Sequence, residues 1–316
     1  MSPAVETQGV AKHYGSLVAL ESLTLTVGPG EVLGVLGPNG AGKTTAIRVL
    51  TTIFAPDRGR FSVAGFPHTQ PLEIRKRIGV LPESAGYPDR QTGEEYLRYH
   101  ARLYGHSRAT ARAIARSLLA EMQLADRRRS LISTYSRGMR QRLGIARALV
   151  NEPSVVFLDE PTLGLDPAGQ RQVLQYVRSI ATERGAAVLL STHLLTEVEE
   201  NCSRVLIINR GRVVAEGTVS EIVRKAAAPR SGRLHVAPED AARAVAILAG
   251  AAEVDEVAEL NGQPGSFTVT FAPARNGSAA PNDALRALLE SGVALRSFEL
   301  EGARLSDAFL RMTEAS

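Results

Sequence analysis

Gly37-Pro38-Asn39-Gly40-Ala41-Gly42-Lys43-Thr44-Thr45 decides how this chain is read. The stretch fits G-x-x-x-x-G-K-[ST], a loop that wraps phosphate groups. Val32-Leu33-Gly34-Val35-Leu36 precedes it as an apolar run of buried-strand type, and Thr45 to Ile53 follows with a helical pattern. Strand, glycine loop and helix are the context that the motif requires. The glycines let the backbone curl so that successive N–H groups face phosphate oxygens, and the positive end of the helix dipole adds to the attraction. Lys43 is expected to reach the β- and γ-phosphates and Thr44 to hold Mg²⁺.

Moving outward, 316 residues suffice for two domains, with 44% hydrophobic and 22% charged residues, as in an ordinary globular protein. One cysteine, Cys202, excludes an internal disulfide and reads as a small core residue. The start has neither a basic segment nor an apolar core of signal-peptide type, and no apolar run approaches the ~20 residues that span a bilayer. A membrane role is therefore expected to come through a partner subunit. Residues 232–316 carry 7 Arg and 12 Asp+Glu, a net −5, while residues 1–231 hold 30 Lys+Arg against 21 Asp+Glu, a net +9. The anionic ligand of the phosphate loop accounts for the basic part. Its basic residues are scattered and Trp is absent, so no nucleic acid is expected.

Residues 4–27 alternate apolar and polar positions, which predicts antiparallel strands before the loop. From about 90 to 150 the pattern is helical, opened by the capping box Thr92-Gly93-Glu94-Glu95. Strands return at Ser154–Leu158, Ala187–Leu190 and Val205–Ile208, with helices between, which indicates a parallel sheet. Residues 226–232 read as a linker. Beyond it the order strand, helix, strand, strand, helix, strand and a last helix from Leu305 predicts a ferredoxin-like domain over 233–316. Pro273–Pro281 reads as a polar loop.

Val155-Val156-Phe157-Leu158-Asp159-Glu160 is a buried strand that delivers two acids to the sheet's carboxyl edge. Asp159 is expected to hold Mg²⁺ and Glu160 to orient or deprotonate the attacking water. Together with the phosphate loop this implies a nucleoside triphosphatase. Ser136-Arg137-Gly138-Met139-Arg140-Gln141 stands 23 residues before Asp159, Gly164-Leu165-Asp166 follows Glu160, and Ser191-Thr192-His193 ends a strand. With these motifs in this order, residues 4–225 resemble the ATP-binding subunits of ABC transporters.

The resemblance implies an α/β P-loop NTPase core over 1–225, with an antiparallel β subdomain and a helical insertion at about 90–150. The small α+β domain at the C-terminus is an accessory. The resemblance also implies ATP as the ligand and two subunits paired head to tail, as a homodimer because both halves of a composite site occur in one chain. Each ATP then lies between Gly37–Thr45 of one copy and Ser136 with Gly138 of the other. Asp166 resembles the residue that crosses to the opposing site, His193 the switch histidine and Tyr14 the aromatic that stacks on adenine. The helical insertion, through Pro88–Tyr104, faces an integral-membrane permease, so the protein lies at the cytoplasmic face of the cell membrane.

Two positions depart from that pattern. Glu83 stands where the family usually has glutamine, and Arg137 replaces the first glycine of the signature. A carboxylate at Glu83 is still a metal ligand by type, and Arg137 is hypothesised to offset negative charge at the shared site. These departures, with the helical stretch Glu94–Gly105 and Leu305-Ser306-Asp307-Ala308-Phe309-Leu310, resemble the drug- and antibiotic-exporter branch of daunorubicin-resistance type. The expected function is ATP hydrolysis that energises export of a drug, antibiotic or lipid-like compound through a separate membrane subunit. An importer ATPase with a regulatory C-terminal domain and a soluble ABC ATPase are the alternatives.

Overall fold

The phosphate-loop strand occupies the middle of a six-stranded sheet in the computed structural model. The structure describes residues 2–226, 231–260, 264–271, 280–301 and 305–314. Those residues pack as two units, Met1–Thr218 and Val219–Ser316.

In the first unit, β1 (Val5–Tyr14) and β2 (Leu17–Val27) form an antiparallel pair, as the alternation predicts. Strand β3 (Val32–Leu36) is buried at every residue and leads through the glycine loop into helix α1 (Lys43–Leu50). Strands β4 (Arg58–Val63) and β5 (Phe66–Pro67) complete the first sheet in the order β2-β1-β4-β5. A short helix, α2 (Pro71–Arg75), precedes strand β6 (Ile78–Leu81). The helical insertion is α3 (Gly93–Leu103), α4 (Arg108–Glu121) and α5 (Arg137–Ala148). Thr92 caps α3 through the predicted capping box with Glu95. The core resumes with β7 (Val155–Asp159), α6 (Pro167–Thr182), β8 (Ala187–Thr192), α7 (Leu195–Asn201), β9 (Arg204–Asn209) and β10 (Arg212–Gly217). The sheet order is β10-β9-β3-β8-β7-β6. Its pairings are parallel except β10 on β9. Continuous apolar strands are what a parallel sheet covered on both faces needs.

Among the side chains that tie the insertion to the core, two flank Glu83. Arg147 on α5 donates from Nη2 to the Val80 carbonyl on β6 at 2.7 Å, and Tyr87 donates its hydroxyl to the Arg140 carbonyl at 2.8 Å. The segment carrying Glu83 is thus fastened at both ends to the helix that begins after Ser136. Cys202 is half-buried beside the core, where burial, then the nearby Glu197, pushes its thiol up to about 12. A group held neutral in this way behaves as a packing residue.

The second unit begins with α8 (Val219–Ala226), which packs with α11 (Leu305–Glu314). The division therefore falls before this helix, one element earlier than the boundary at 225 expected from the sequence. The reason is tertiary: the apolar stripe of α8 finds its partner in a helix about 80 residues later. Between them lie β11 (Ser231–Val236), α9 (Ala241–Ala249), β12 (Val254–Glu259), β13 (Ser266–Phe271), α10 (Ala280–Glu290) and β14 (Leu295–Glu301). Their antiparallel order, β12-β13-β11-β14, is that of a ferredoxin-like sheet. Residues 227–230 of the expected linker and 273–279 of the expected polar loop lie outside the described residues.

Candidate active site

The glycine loop keeps its shape because side chains are excluded from it. A Cβ on Gly37 would sit 2.3 Å from the Ile208 carbonyl oxygen of β9, and one on Gly42, whose φ is 112°, would sit 2.5 Å from the Ala19 carbonyl oxygen. Neither neighbour is a flexible side-chain tip, so the backbone itself would have to move. Gly37→Ala is expected to cost about 3 kcal/mol through this clash. A unit of this size should then melt roughly 6–12 °C lower. An unchanged melting temperature would show that the loop has room to spare.

Lys43 opens α1 and folds back over the loop. Its Nζ donates to the Gly37 carbonyl at 2.7 Å and lies 3.2 Å from Glu160 Oε1. Both side chains are buried, at 6% and 8% exposure. His193 Nδ1 lies 2.8 Å from the other carboxylate oxygen, Oε2. Glu160 is therefore held between a cation and an imidazole, and burial of its charge is tolerable only in such company.

Glu160 has a left-handed backbone, φ 49°, rare for a residue with a side chain. Two bonds hold it there: its N–H donates to the Ser191 carbonyl at 3.1 Å and to Ser191 Oγ at 3.2 Å. The Ser191 hydroxyl donates to Asp159 Oδ1 at 2.5 Å. One buried serine thus sets both acids. The chemical logic of the sequence missed it, since the register that faces Asp159 with Ser191 exists only once β7 and β8 pair.

The expected site residues fall into two groups. Tyr14, Pro38 to Thr45, Glu83, Glu160 and His193 line one cavity of about 480 Å³. Gly37 and Asp159 are buried and do not line it, Asp159 being 2% exposed. Tyr14 stands edge-on to Phe54, ring centroids 5.8 Å apart, and is 38% exposed. Ser136, Arg137, Gly138 and Asp166 line a different cavity of about 730 Å³. Ser136 Oγ accepts Met139 N–H at 3.2 Å and so caps α5, while Asp166 Oδ1 accepts Gly169 N–H at 2.9 Å and caps α6. The Arg137 guanidinium lies against Gly164, where a Cβ would be 2.3 Å from Cζ. In its own chain, then, Arg137 rests on the loop that carries Asp166, and it does not line the cavity that holds Glu83.

The family described as "ABC transporter" matches residues 20–163. The chain is 38% identical over 315 residues to the "Daunorubicin resistance ATP-binding protein DrrA3" of Streptomyces coeruleorubidus, which covers 98% of this chain and 96% of that one. It belongs to the ABC transporter family. The "Nod factor export ATP-binding protein I" of Paraburkholderia xenovorans (strain LB400) is 40% identical over 221 residues, 70% of this chain and 72% of that one. Among solved structures, one described as "Structure of ATP binding subunit of ABC transporter" superposes with a TM-score of 0.64 at 34% identity, covering 70% of this chain and 92% of that one. As an ABC ATPase the protein binds and hydrolyses ATP. No helix among the described residues is long and apolar enough to cross a membrane.

Proposed function

We propose that this ABC ATPase energises export of a drug-, antibiotic- or lipid-like compound, working as two copies paired head to tail beneath a separate integral-membrane permease, at the cytoplasmic face of the membrane. The observation that supports the pairing is the separation of the two cavities. The phosphate loop and Glu160 line one, and the capped N-terminus of α5, an anion-attracting end, lines the other. A single copy offers the γ-phosphate only one of these, so a second copy completes the site. The names of the resistance and Nod factor export relatives support the exporter reading.

In this reading Lys43 leaves Glu160 for the β- and γ-phosphates, and Tyr14 stacks on the adenine. Glu160, released from Lys43 but still facing His193, takes a proton from the attacking water as the water oxygen bonds to the γ-phosphorus and the bond from that phosphorus to the β,γ-bridging oxygen breaks, so that ADP leaves with the bridging electron pair and inorganic phosphate is formed. His193 and the partner copy's capped helix end steady the γ-phosphate oxygens. Thr44, Asp159 and Glu83 are oxygen donors of the type that suits Mg²⁺, and they would hold it beside the phosphates. When bound, Mg²⁺ offsets phosphate charge. Closure of the pair moves the helical insertion, through Pro88–Tyr104, against the permease.

Mixing two inactive variants tests the pairing. Lys43→Ala spoils one half-site and Ser136→Arg the other. Mixed in equal amounts, half of the pairs are heterodimers with one intact composite site, so about a quarter of wild-type activity is expected to return. No return of activity on mixing, with each variant folded, would refute the head-to-tail arrangement.

A further inference from the structure

Strand β8 ends at Thr192 and hands the chain to His193. Alternation along a strand sends Ser191 and His193 to one side and Thr192 to the other. The first two meet Asp159 and Glu160. Thr192 instead donates its hydroxyl to Glu197 Oε2 at 2.7 Å, while the same oxygen accepts the Leu194 N–H at 3.0 Å. A hydroxyl has one proton to give and two lone pairs to receive. Committing the proton to Glu197 leaves the oxygen free for Leu194. Both backbone neighbours of His193 are thereby pinned to one atom, and Glu197 decides how that atom is turned.

Glu197 is 4% exposed, and its Oε1 has no hydrogen-bond partner among the described residues. A buried carboxylate with a free oxygen is costly. Glu197 lies in the first turn of α7, where a carboxylate also suits the helix dipole, but its hydrogen-bonded oxygen is committed to Thr192. Among the described residues, the side chain that hydrogen-bonds this carboxylate is Thr192, next to His193.

We propose that Glu197 is a positioning residue for ATP hydrolysis, holding Thr192 and Leu194 so that the His193 ring meets Glu160. The inference rests on the reading of Glu160 and His193 as the hydrolytic pair.

The test uses the full chain, with kcat for MgATP and Kd for ATP measured separately. Glu197→Leu is expected to lower kcat about 20-fold and to leave Kd within about twofold. Glu197→Gln still offers Thr192 an amide oxygen and is expected to keep more than about half of kcat. In a His193→Ala background, read by single-turnover hydrolysis, Glu197→Leu is expected to change the residual rate by less than about twofold. Equal losses in both backgrounds, or a Kd that weakens as much as kcat falls, would overturn the assignment and leave Glu197 as a support of α7. If Glu197→Leu does not fold, Thr192→Val runs the same cycle with Glu197 in place, and the same two results decide it. Failure of the underlying reading looks different: Glu160→Gln or His193→Ala would then turn over like wild type.

Discussion

Replacing Glu160 by glutamine is expected to leave ATP binding intact and to cut turnover about 1,000-fold. Glutamine has nearly the same shape and keeps an oxygen for the His193 contact now at 2.8 Å. It cannot take a proton from water. It also removes the ion pair that Lys43 makes at 3.2 Å, so Lys43 reaches the phosphates without first leaving a carboxylate. ATP affinity should therefore hold or rise, and the paired form should accumulate with ATP. Phosphate release in a single turnover measures the first effect, and gel filtration with ATP the second. Turnover within twofold of wild type would remove Glu160 from the chemistry and with it the proton path given above.

Lys43→Ala is expected to act in the opposite way, weakening ATP binding about 100-fold, equivalent to about 2.7 kcal/mol. The loss is that of a charge-assisted contact to phosphate at the floor of the loop. A second effect comes from the protein itself. Removal of Lys43 leaves the buried Glu160 carboxylate facing only His193, at an expected cost of about 2 kcal/mol, below the full cost of breaking a buried pair because the imidazole stays. The two effects separate in a double variant. In a Glu160→Gln background Lys43→Ala should cost much less stability yet still lose ATP affinity. Titration with ATP and thermal melting read the two outcomes. If the melting loss is the same in both backgrounds, the ion pair contributes nothing to stability.

The two variants show which contacts a linear reading reaches. Lys43 lies in a loop whose residue types and spacing state their own chemistry, because phosphate binding by backbone N–H groups needs contiguous residues. Asp159 and Glu160 are equally local, as the last residue of a buried strand and the one after it. The parallel core, its antiparallel neighbour sheet and the ferredoxin-like strand order were likewise legible, since period-2 and period-3.6 patterns are properties of neighbouring residues. The boundary at Thr218 was not, because α8 is defined by its contact with α11 at the other end of the unit.

The sequence by itself determined the family, the order of the elements and the groups expected to handle a triphosphate. Only the tertiary structure decided what those groups do to one another before the nucleotide arrives. Strand register put Ser191 against Asp159, and a left-handed turn aimed Glu160 at Lys43 and His193. The same folding sent Arg137 onto Gly164 and away from the cavity of Glu83. The physical reason is range. Chain-local chemistry follows from residue type and spacing, whereas a buried carboxylate is governed by whichever charges and donors pack within a few ångströms of it, and Lys43, Ser191 and His193 all stand 30 residues or more from Glu160 in the chain.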